Sequence, residues 1–193
     1  MAGWCVAAVS GVTCGGKTTV ARMLHAAYPG SVLVAQDDYF LPEDDPRHVP
    51  APGVNHLNWE LLSSIDTGRM VTDVAAILAQ PAPAGDAAPR LLIIEGFLVL
   101  NDARLRALCD VQCYVTLERG ICWERRQHRH YEPADVPGYF DACVWPMYER
   151  HLAELRCVDG GRVIYLDGAL PLDRLYTRVA AEVSRAMEKQ CAN

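Results

Sequence analysis

The stretch that decides the fold is Gly-Val-Thr-Cys-Gly-Gly-Lys-Thr, residues 11–18, which matches the pattern G-x-x-x-x-G-K-[ST]. An apolar run at 4–9 precedes it and predicts a buried strand, and a helix-compatible run at 18–28 follows it. In this context the glycines let backbone N–H groups turn towards phosphates, and the helix N-terminus adds partial positive charge. The sequence therefore predicts that the chain binds a nucleoside triphosphate.

The predicted phosphate loop supplies most of the nucleotide contacts. We expect the ammonium group of Lys17 to reach the outer phosphates and act in catalysis, and the hydroxyl of Thr18 to hold Mg²⁺. The alternative is a glycine-rich turn before an ordinary helix, which the flanking pattern disfavours. The loop residues expected at the nucleotide are Gly11, Thr13, Cys14, Gly15, Gly16, Lys17, Thr18 and Thr19.

Composition narrows the classes of protein. A length of 193 residues favours a single domain, 1–193, and a hydrophobic fraction of 51% supports a core. The net charge of -6 argues against a nucleic-acid partner, and we expect neither a membrane span nor a signal peptide. The eight cysteines form no C-x-x-C pair, which disfavours a zinc or redox motif and favours a reducing, cytoplasmic compartment.

The remaining chain alternates predicted strands with predicted helices. The predicted strands are 4–9, 31–35, 91–94, 111–117 and 162–166, and the predicted helices are 18–28, 58–78 (with Asn58 as N-cap), 119–129, 139–157 and 172–189. Proline and glycine make 42–52, 80–89 and 131–138 irregular. This alternation predicts an α/β protein of the P-loop NTPase fold, a mostly parallel five-stranded sheet with helices on both faces and a small helical lid around 125–138.

Acidic residues follow two of the predicted strands, at the edge where parallel sheets bind ligands. We expect Asp37 to accept the proton of the hydroxyl that attacks the γ-phosphate, with Asp38 as the alternative base. A turn cap is the non-catalytic interpretation of this pair. Glu95 is expected to act in catalysis by orienting Mg²⁺ or its water shell, the alternative being a solvated strand end.

Arginines and aromatic residues mark the predicted lid and acceptor site. Arg125 and Arg129 are four residues apart, share a helix face and are expected to meet the triphosphate, unless that face is merely solvated. Trp59 and Tyr131 either sandwich a flat ring or belong to the core. No Asn-Lys-x-Asp guanine motif is present, so these residues alone predict a small kinase for a hydroxyl-bearing metabolite.

Several longer stretches resemble the nicotinamide riboside kinases, within the wider uridine-kinase-like P-loop group. They are Gln-Asp-Asp-Tyr-Phe at 36–40, Ile-Ile-Glu-Gly-Phe-Leu at 93–98, Pro-Gly-Tyr-Phe-Asp at 137–141, Val-Trp-Pro-Met-Tyr at 144–148 and Val-Ile-Tyr-Leu-Asp-Gly at 163–168. The resemblance implies an enzyme that transfers phosphate from ATP, or alternatively GTP, to the 5′-hydroxyl of nicotinamide riboside and nicotinic acid riboside in NAD biosynthesis. The alternatives are a uridine or cytidine kinase and a nucleotide-binding regulator without turnover. We also expect the chain to act as a monomer.

The resemblance also implies roles for single residues. It makes Asp37 the base, Lys17 and Thr18 the phosphate and magnesium contacts, Glu95 the second carboxylate, Trp59 and Tyr131 the partners of the pyridine ring, Arg126 a ribose contact, and Arg125 and Arg129 phosphate contacts. The family often has Asp where this chain has Glu60, so whether its longer side chain takes over the ribose contact stays open. The intact Lys17, Thr18, Asp37 and Glu95 favour an enzyme over a regulator.

Overall fold

The computed structural model describes residues 3–81 and 89–192, and the predicted connector 80–89 falls mostly outside them. Within the described residues the chain forms five strands: β1 Trp4–Gly11, β2 Val32–Ala35, β3 Arg90–Glu95, β4 Val111–Thr116 and β5 Ile164–Asp167. The helices of the same residues are α1 Lys17–Ala27, α2 Thr67–Leu78, α3 Ala103–Leu108, α4 Arg119–Gln127, α5 Trp145–Val158 and α6 Leu172–Cys191.

The strands form one sheet in the order β2-β3-β1-β4-β5, and each of its strand pairings is parallel. The central strand β1 pairs Val9 with Glu95 of β3 and Gly11 with Val115 of β4. The phosphate loop therefore leaves the carboxyl end of the central strand, with other strand ends on both sides. This arrangement confirms the predicted fold class.

Both faces of the sheet are buried, as the uninterrupted apolar strands predict. Along β1, Cys5 and Ala7 pack into the core beneath α1 and α6, whereas Val6 and Ala8 pack into the core beneath α2, α3 and α5. All four side chains are at most 3% exposed. Because successive side chains point to opposite faces of a strand, one short apolar run anchors both helical layers.

The predicted helix 58–78 is wrong over its first nine residues, 58–66. The chain makes a short 3₁₀ turn at Leu62–Ser64, and α2 starts only at Thr67, where Asp66 is the N-cap and accepts a hydrogen bond from the Arg69 N–H. Asn58 instead stabilises a turn, because its side-chain oxygen accepts the Glu60 N–H at 3.1 Å. The helix starts late because backbone groups of residues 64–66 make hydrogen bonds elsewhere.

Those hydrogen bonds join 64–66 to the segment after β2. The Leu41 N–H donates to the Ser64 carbonyl at 2.9 Å, and the Asp66 N–H donates to the Tyr39 carbonyl at 2.8 Å. Backbone groups committed to a distant segment cannot also make helical hydrogen bonds. Periodicity alone does not reveal this competition.

Two other features of the helices differ from the sequence-based prediction: a π-helical turn and an additional short helix. The predicted helix 139–157 begins with a π-helical turn, Phe140–Val144, and continues as α5 with Pro146 in its first turn, where the missing N–H is tolerated. The short helix α3 was not predicted, although Asp102 caps it by accepting the N–H groups of Arg104 and Leu105.

A close approach of two strands fixes the start of the phosphate loop. Gly11 has a φ of +119°, and a Cβ at this position would overlap the backbone of Val115 in β4. The next residue, Val12, donates its N–H to the Val115 carbonyl at 2.9 Å. Glycine therefore lets β1 and β4 stay paired up to the point where the loop turns away.

We predict that Gly11→Ala lowers the free energy of unfolding by more than about 3 kcal/mol, because it adds a backbone clash to the strain of a positive φ. Gly30→Ala is the matched control: Gly30 has a φ of +79°, but a Cβ added there would meet no atom within 4 Å. The control should lose only about 1–3 kcal/mol. Urea unfolding of both variants measures the difference, and equal losses would contradict the close-approach argument.

Candidate active site

A cavity of about 480 Å³ opens at the carboxyl end of the sheet. It brings together many of the side chains that the sequence analysis singled out, from five separate parts of the chain. Those that line it are Thr13, Lys17, Thr18, Asp37, Trp59, Glu60, Glu95, Arg126, Arg129 and Tyr131. Of the other predicted site residues, Gly11, Cys14, Gly15, Gly16, Thr19 and Arg125 do not line it.

The phosphate loop forms one wall. Lys17 is the first residue of α1 and is 8% exposed, and its Nζ donates to the Val12 carbonyl at 2.7 Å. Burial lowers the pKa of Lys17, and the negative charges of Glu95 and Asp37 partly offset that effect. Since no side chain caps the N-terminus of α1, its first N–H groups are available to an anion, which fits a bound triphosphate.

Glu95 and Thr18 place oxygen atoms next to this wall. Glu95 is 3% exposed at the end of β3, and the Thr18 hydroxyl lies 3.1 and 3.2 Å from its two carboxylate oxygens. Burial raises the pKa of Glu95, and Lys17 counteracts the shift. A carboxylate and a hydroxyl are the hard oxygen ligands that Mg²⁺ takes beside phosphates, so the residues present fit this ion.

Asp37 lies on the 3₁₀ turn Gln36–Tyr39 that follows β2. The turn is held against the end of β3, since the Gln36 Oε1 accepts the Leu98 N–H at 2.9 Å and a Cβ on Gly96 would overlap the Gln36 side chain. Asp37 lines the cavity, whereas Asp38 does not. The carbonyl of Asp38 instead accepts a hydrogen bond from Arg69 of α2 at 2.6 Å.

Trp59 belongs both to a packed cluster and to the cavity wall. Its ring lies edge-on to Phe40 at 5.6 Å and to His48 at 4.5 Å between ring centroids, and its backbone N–H donates to the Tyr139 hydroxyl at 3.0 Å. Trp59 also lines the cavity, as does Phe97. Trp59 therefore packs against its neighbours and also faces the cavity, and its contact with a flat ring stays a prediction.

Another wall of the cavity is built around Arg126, which is 5% exposed. Its Nε and Nη2 donate to the two carboxylate oxygens of Asp135 at 2.6 and 3.0 Å, and its guanidinium lies 4.1 Å from the centre of the Tyr131 ring. Its Nη2 is also 3.9 Å from the Glu60 carboxylate. Burial raises the pKa of Glu60 to about 7, against the opposing charge of Arg126.

Asp135 is a site residue that the sequence analysis missed. It lies in the proline-rich segment 131–138, which was predicted only to be irregular. A signal was present, because a buried arginine requires an acidic partner and Asp135 follows Arg126 by nine residues. The other pocket residues to which it gave no role include Phe40, Leu41, His56, Phe97 and Tyr139.

The two arginines predicted to face phosphates have different surroundings. Arg129 lines the cavity, with its guanidinium 5.1 Å from the Tyr131 ring centre. The Nη1 of Arg125 donates to the carbonyls of Cys14 and Gly168 at 3.2 and 2.9 Å. Arg125 thus braces the phosphate loop from outside the cavity, and its contact with phosphate stays a prediction.

The part of the chain that the structure describes contains neither a membrane-spanning helix nor a metal-binding cluster of His, Cys, Asp or Glu side chains. No helix there combines the length and the apolar character needed to cross a bilayer. In 3–81 and 89–192, no cluster of three or more His, Cys, Asp or Glu side chains could hold a metal by itself. The fit to Mg²⁺ therefore depends on protein oxygens acting together with phosphate oxygens, as is usual where the ion bridges phosphates.

Comparison with known proteins finds relatives over nearly the whole chain. The family model of the Phosphoribulokinase / Uridine kinase family matches residues 66–133. The chain is 35% identical to nicotinamide riboside kinase 1 of Rattus norvegicus over 96% of each chain, and 28% identical to a uridine kinase of Lactiplantibacillus plantarum over 90% of this chain and 93% of that one.

A solved structure shares the fold. A gluconokinase from Sinorhizobium meliloti 1021 superposes with a TM-score of 0.56 at 17% identity, covering 96% of this chain and 94% of that chain. The chain thus has the fold of a kinase with a phosphate-binding loop. The identity of 35% to the rat enzyme extends over nearly the full length of both chains. The chain therefore belongs to the nicotinamide riboside kinase family.

Proposed function

We propose that the chain transfers the γ-phosphoryl group of ATP to the 5′-hydroxyl of nicotinamide riboside, and of nicotinic acid riboside, giving the mononucleotides for NAD biosynthesis. One observation carries the proposal: a single cavity joins Lys17 and Asp37 to an aromatic wall and a buried arginine, Arg126. Family membership supports the same reaction. The aromatic wall of Trp59 and Phe97 favours a flat cationic ring over a neutral uracil.

Asp37 acts as the general base of the reaction. It lies at the cavity on a rigid turn beside the end of β3, so it can orient the attacking hydroxyl and take its proton as the new P–O bond forms. The proton moves from the 5′-oxygen to the Asp37 carboxylate, and ADP leaves with the electron pair of the broken bond. The neighbouring Asp38 does not line the cavity, which supports Asp37 over Asp38 as the base.

Lys17 and the free N–H groups at the start of α1 hold the triphosphate. Thr18 and Glu95 are the protein groups that hold Mg²⁺ and its water shell, and Arg129 adds positive charge from the lid. When bound, Mg²⁺ would neutralise part of the negative charge on the outer phosphates. GTP is the alternative donor, because these contacts are made to phosphates and not to the base.

The acceptor side of the cavity binds the riboside. All four predicted acceptor residues line the cavity, which supports the assignment. Arg126 and Glu60 hydrogen-bond the ribose hydroxyls, and Trp59 and Tyr131 contact the pyridine ring. Burial of the ring between aromatic faces favours a cation.

We also propose that residues 1–193 act as one domain with a lid at 125–138, as a cytoplasmic monomer without a nucleic-acid partner.

The test of this function is a comparison of nicotinamide riboside, nicotinic acid riboside and uridine as acceptors, with ADP release followed and the product identified by mass. We expect kcat/KM to be larger for nicotinamide riboside than for uridine, and each product to be a monophosphate. A protein that turns over uridine better than nicotinamide riboside would be a uridine kinase. A protein that binds ATP but phosphorylates none of them would be a regulator.

We predict that Trp59→Ala raises KM for nicotinamide riboside about tenfold while kcat holds, because the variant loses a contact made equally in ground state and transition state. A tenfold change is about 1.4 kcal/mol, within the roughly 0.5–2 kcal/mol of a cation–π contact. Trp59→Phe is the matched control, since it keeps a flat ring in the cluster and should restore most of the affinity. An unchanged KM in Trp59→Ala would show that the ring is held elsewhere.

We predict that Asp37→Asn lowers kcat by about a hundredfold or more, because the amide keeps the shape but cannot accept the proton. Binding of ATP, measured by calorimetry, should persist. The matched control is Asp38→Asn, which changes the adjacent carboxylate outside the cavity and should keep most of the activity. If instead the Asp38 variant loses turnover and the Asp37 variant keeps it, the base has been assigned to the wrong residue.

We predict that the affinity for nicotinamide riboside rises as the pH increases through about 7, the pKa to which burial raises Glu60. Below that pH the carboxyl is protonated and neutral, and above it the carboxylate accepts ribose hydroxyls more strongly and attracts the cationic ring. Calorimetry between about pH 5.5 and 8.5 measures the profile, which should flatten in Glu60→Gln. Glu188→Gln, at an exposed position of α6 outside the cavity, is the control and should retain the slope.

A further inference from the structure

The hydroxyl of Thr13 faces the acceptor side of the cavity, although Thr13 belongs to the phosphate loop. Its Oγ1 lies 3.0 Å from the Tyr131 hydroxyl and accepts a hydrogen bond from the Arg126 Nη1 at 3.1 Å. Both partners come from the segment that the proposed function assigns to the lid and the riboside. A side chain of the nucleotide-binding loop is therefore bonded to two groups of the other substrate's site.

Thr13, Arg126 and Tyr131 contact one another, and the Cys14 Sγ lies 3.7 Å from the Thr13 Oγ1 and 3.6 Å from the Tyr131 hydroxyl. Arg126 lies over the Tyr131 ring at 4.1 Å, and its Nε and Nη2 are occupied by Asp135. A threonine hydroxyl has one hydrogen and two lone pairs, so Thr13 can accept from Arg126 and still share a hydrogen with Tyr131. The other hydroxyl of the loop that has a side-chain partner, that of Thr18, donates to Glu95 instead.

The backbone on either side of Thr13 belongs to the nucleotide site. The Cys122 thiol donates to the Thr13 carbonyl at 3.5 Å, and the following residue, Cys14, has a φ of +58°, a conformation that non-glycine residues rarely adopt. A loop held in such a conformation depends on its surrounding contacts. The hydrogen bonds of the Thr13 side chain with Tyr131 and Arg126 are contacts that can hold the phosphate loop in this conformation.

We propose that Thr13 is a positioning residue whose hydroxyl couples the two substrate sites, a proposal that rests on the riboside being the acceptor. A riboside that fixes Arg126 and Tyr131 also fixes the Thr13 hydroxyl, and with it the loop that receives the triphosphate. The coupling runs equally in the other direction, because binding free energies are reciprocal. Each substrate therefore raises the affinity of the protein for the other.

The test uses the full chain and two probes, nicotinamide riboside and the Mg²⁺ complex of a non-hydrolysable imido analogue of ATP. Calorimetry gives the Kd of each probe alone and in the presence of a saturating amount of the other. We expect each probe to tighten the other about fivefold or more in the parent protein. In Thr13→Val, which keeps the shape but loses both hydrogen bonds, we expect this factor to fall to near one.

Two further variants separate coupling from packing. Thr13→Ser restores the hydroxyl and should restore the coupling factor, which a purely structural role would not require. Thr72→Val is the control, because the hydroxyl of Thr72 donates to the Gly68 carbonyl on the exposed side of α2 and should not affect coupling. If Thr13→Val does not fold, Tyr131→Phe keeps the ring, removes the hydroxyl bonded to Thr13 and should show the same loss of coupling.

The outcomes distinguish this inference from the proposed function. A parent protein that phosphorylates nicotinamide riboside but shows a coupling factor near one overturns the inference alone. So does a Thr13→Val or Tyr131→Phe variant that keeps the parent's factor. A parent protein that neither binds nor phosphorylates nicotinamide riboside overturns the proposed function, and the coupling with it.

Discussion

The ammonium group of Lys17 is buried under the phosphate loop, and a buried charge is tolerated only where other groups compensate for its lost hydration. The carbonyl of Val12 and the carboxylates of Glu95 and Asp37 provide that compensation. The strand order explains how they meet. Val9 of β1 and Ala35 of β2 are both in register with Glu95 of β3, so β2 and β3 end at one level, and β1 continues only two residues further, to Gly11, before the phosphate loop begins.

A second buried cation organises the other side of the cavity. Arg126 is as buried as Lys17, and its compensation comes from Asp135 in a segment without regular structure. Leaving either ion of such a pair unpaired would cost several kcal/mol, so the pair fixes the path of 131–138 near the loop. The phosphate side thus depends on strand ends, whereas the acceptor side depends on one ion pair and on the contacts of Thr13 with Arg126 and Tyr131.

The parts of the fold that local patterns determine could be predicted from the sequence. The phosphate loop, the strands and the convergence of Asp37 with Glu95 follow from short motifs and from the rule for parallel sheets. The missed features depend on contacts between distant residues. The segment 58–66 is apolar at helical spacing but bonds to 39–41, Asp135 matters only through Arg126, and Arg125 finds two carbonyls that no periodicity reveals.

Glu60 connects the electrostatics of the cavity with the riboside that we propose as the acceptor. Its carboxylate lies 3.9 Å from Arg126, which already gives its paired donors to Asp135, and no side chain of the described residues donates a hydrogen bond to it. Burial without a donor is why its pKa rises to about 7. In the proposed function, the ribose hydroxyls of the riboside supply the missing hydrogen-bond donors. A ligand that donates hydrogen bonds at this position relieves the unfavourable burial of Glu60, so we expect the acceptor side to favour a sugar over a ligand that has no donor there.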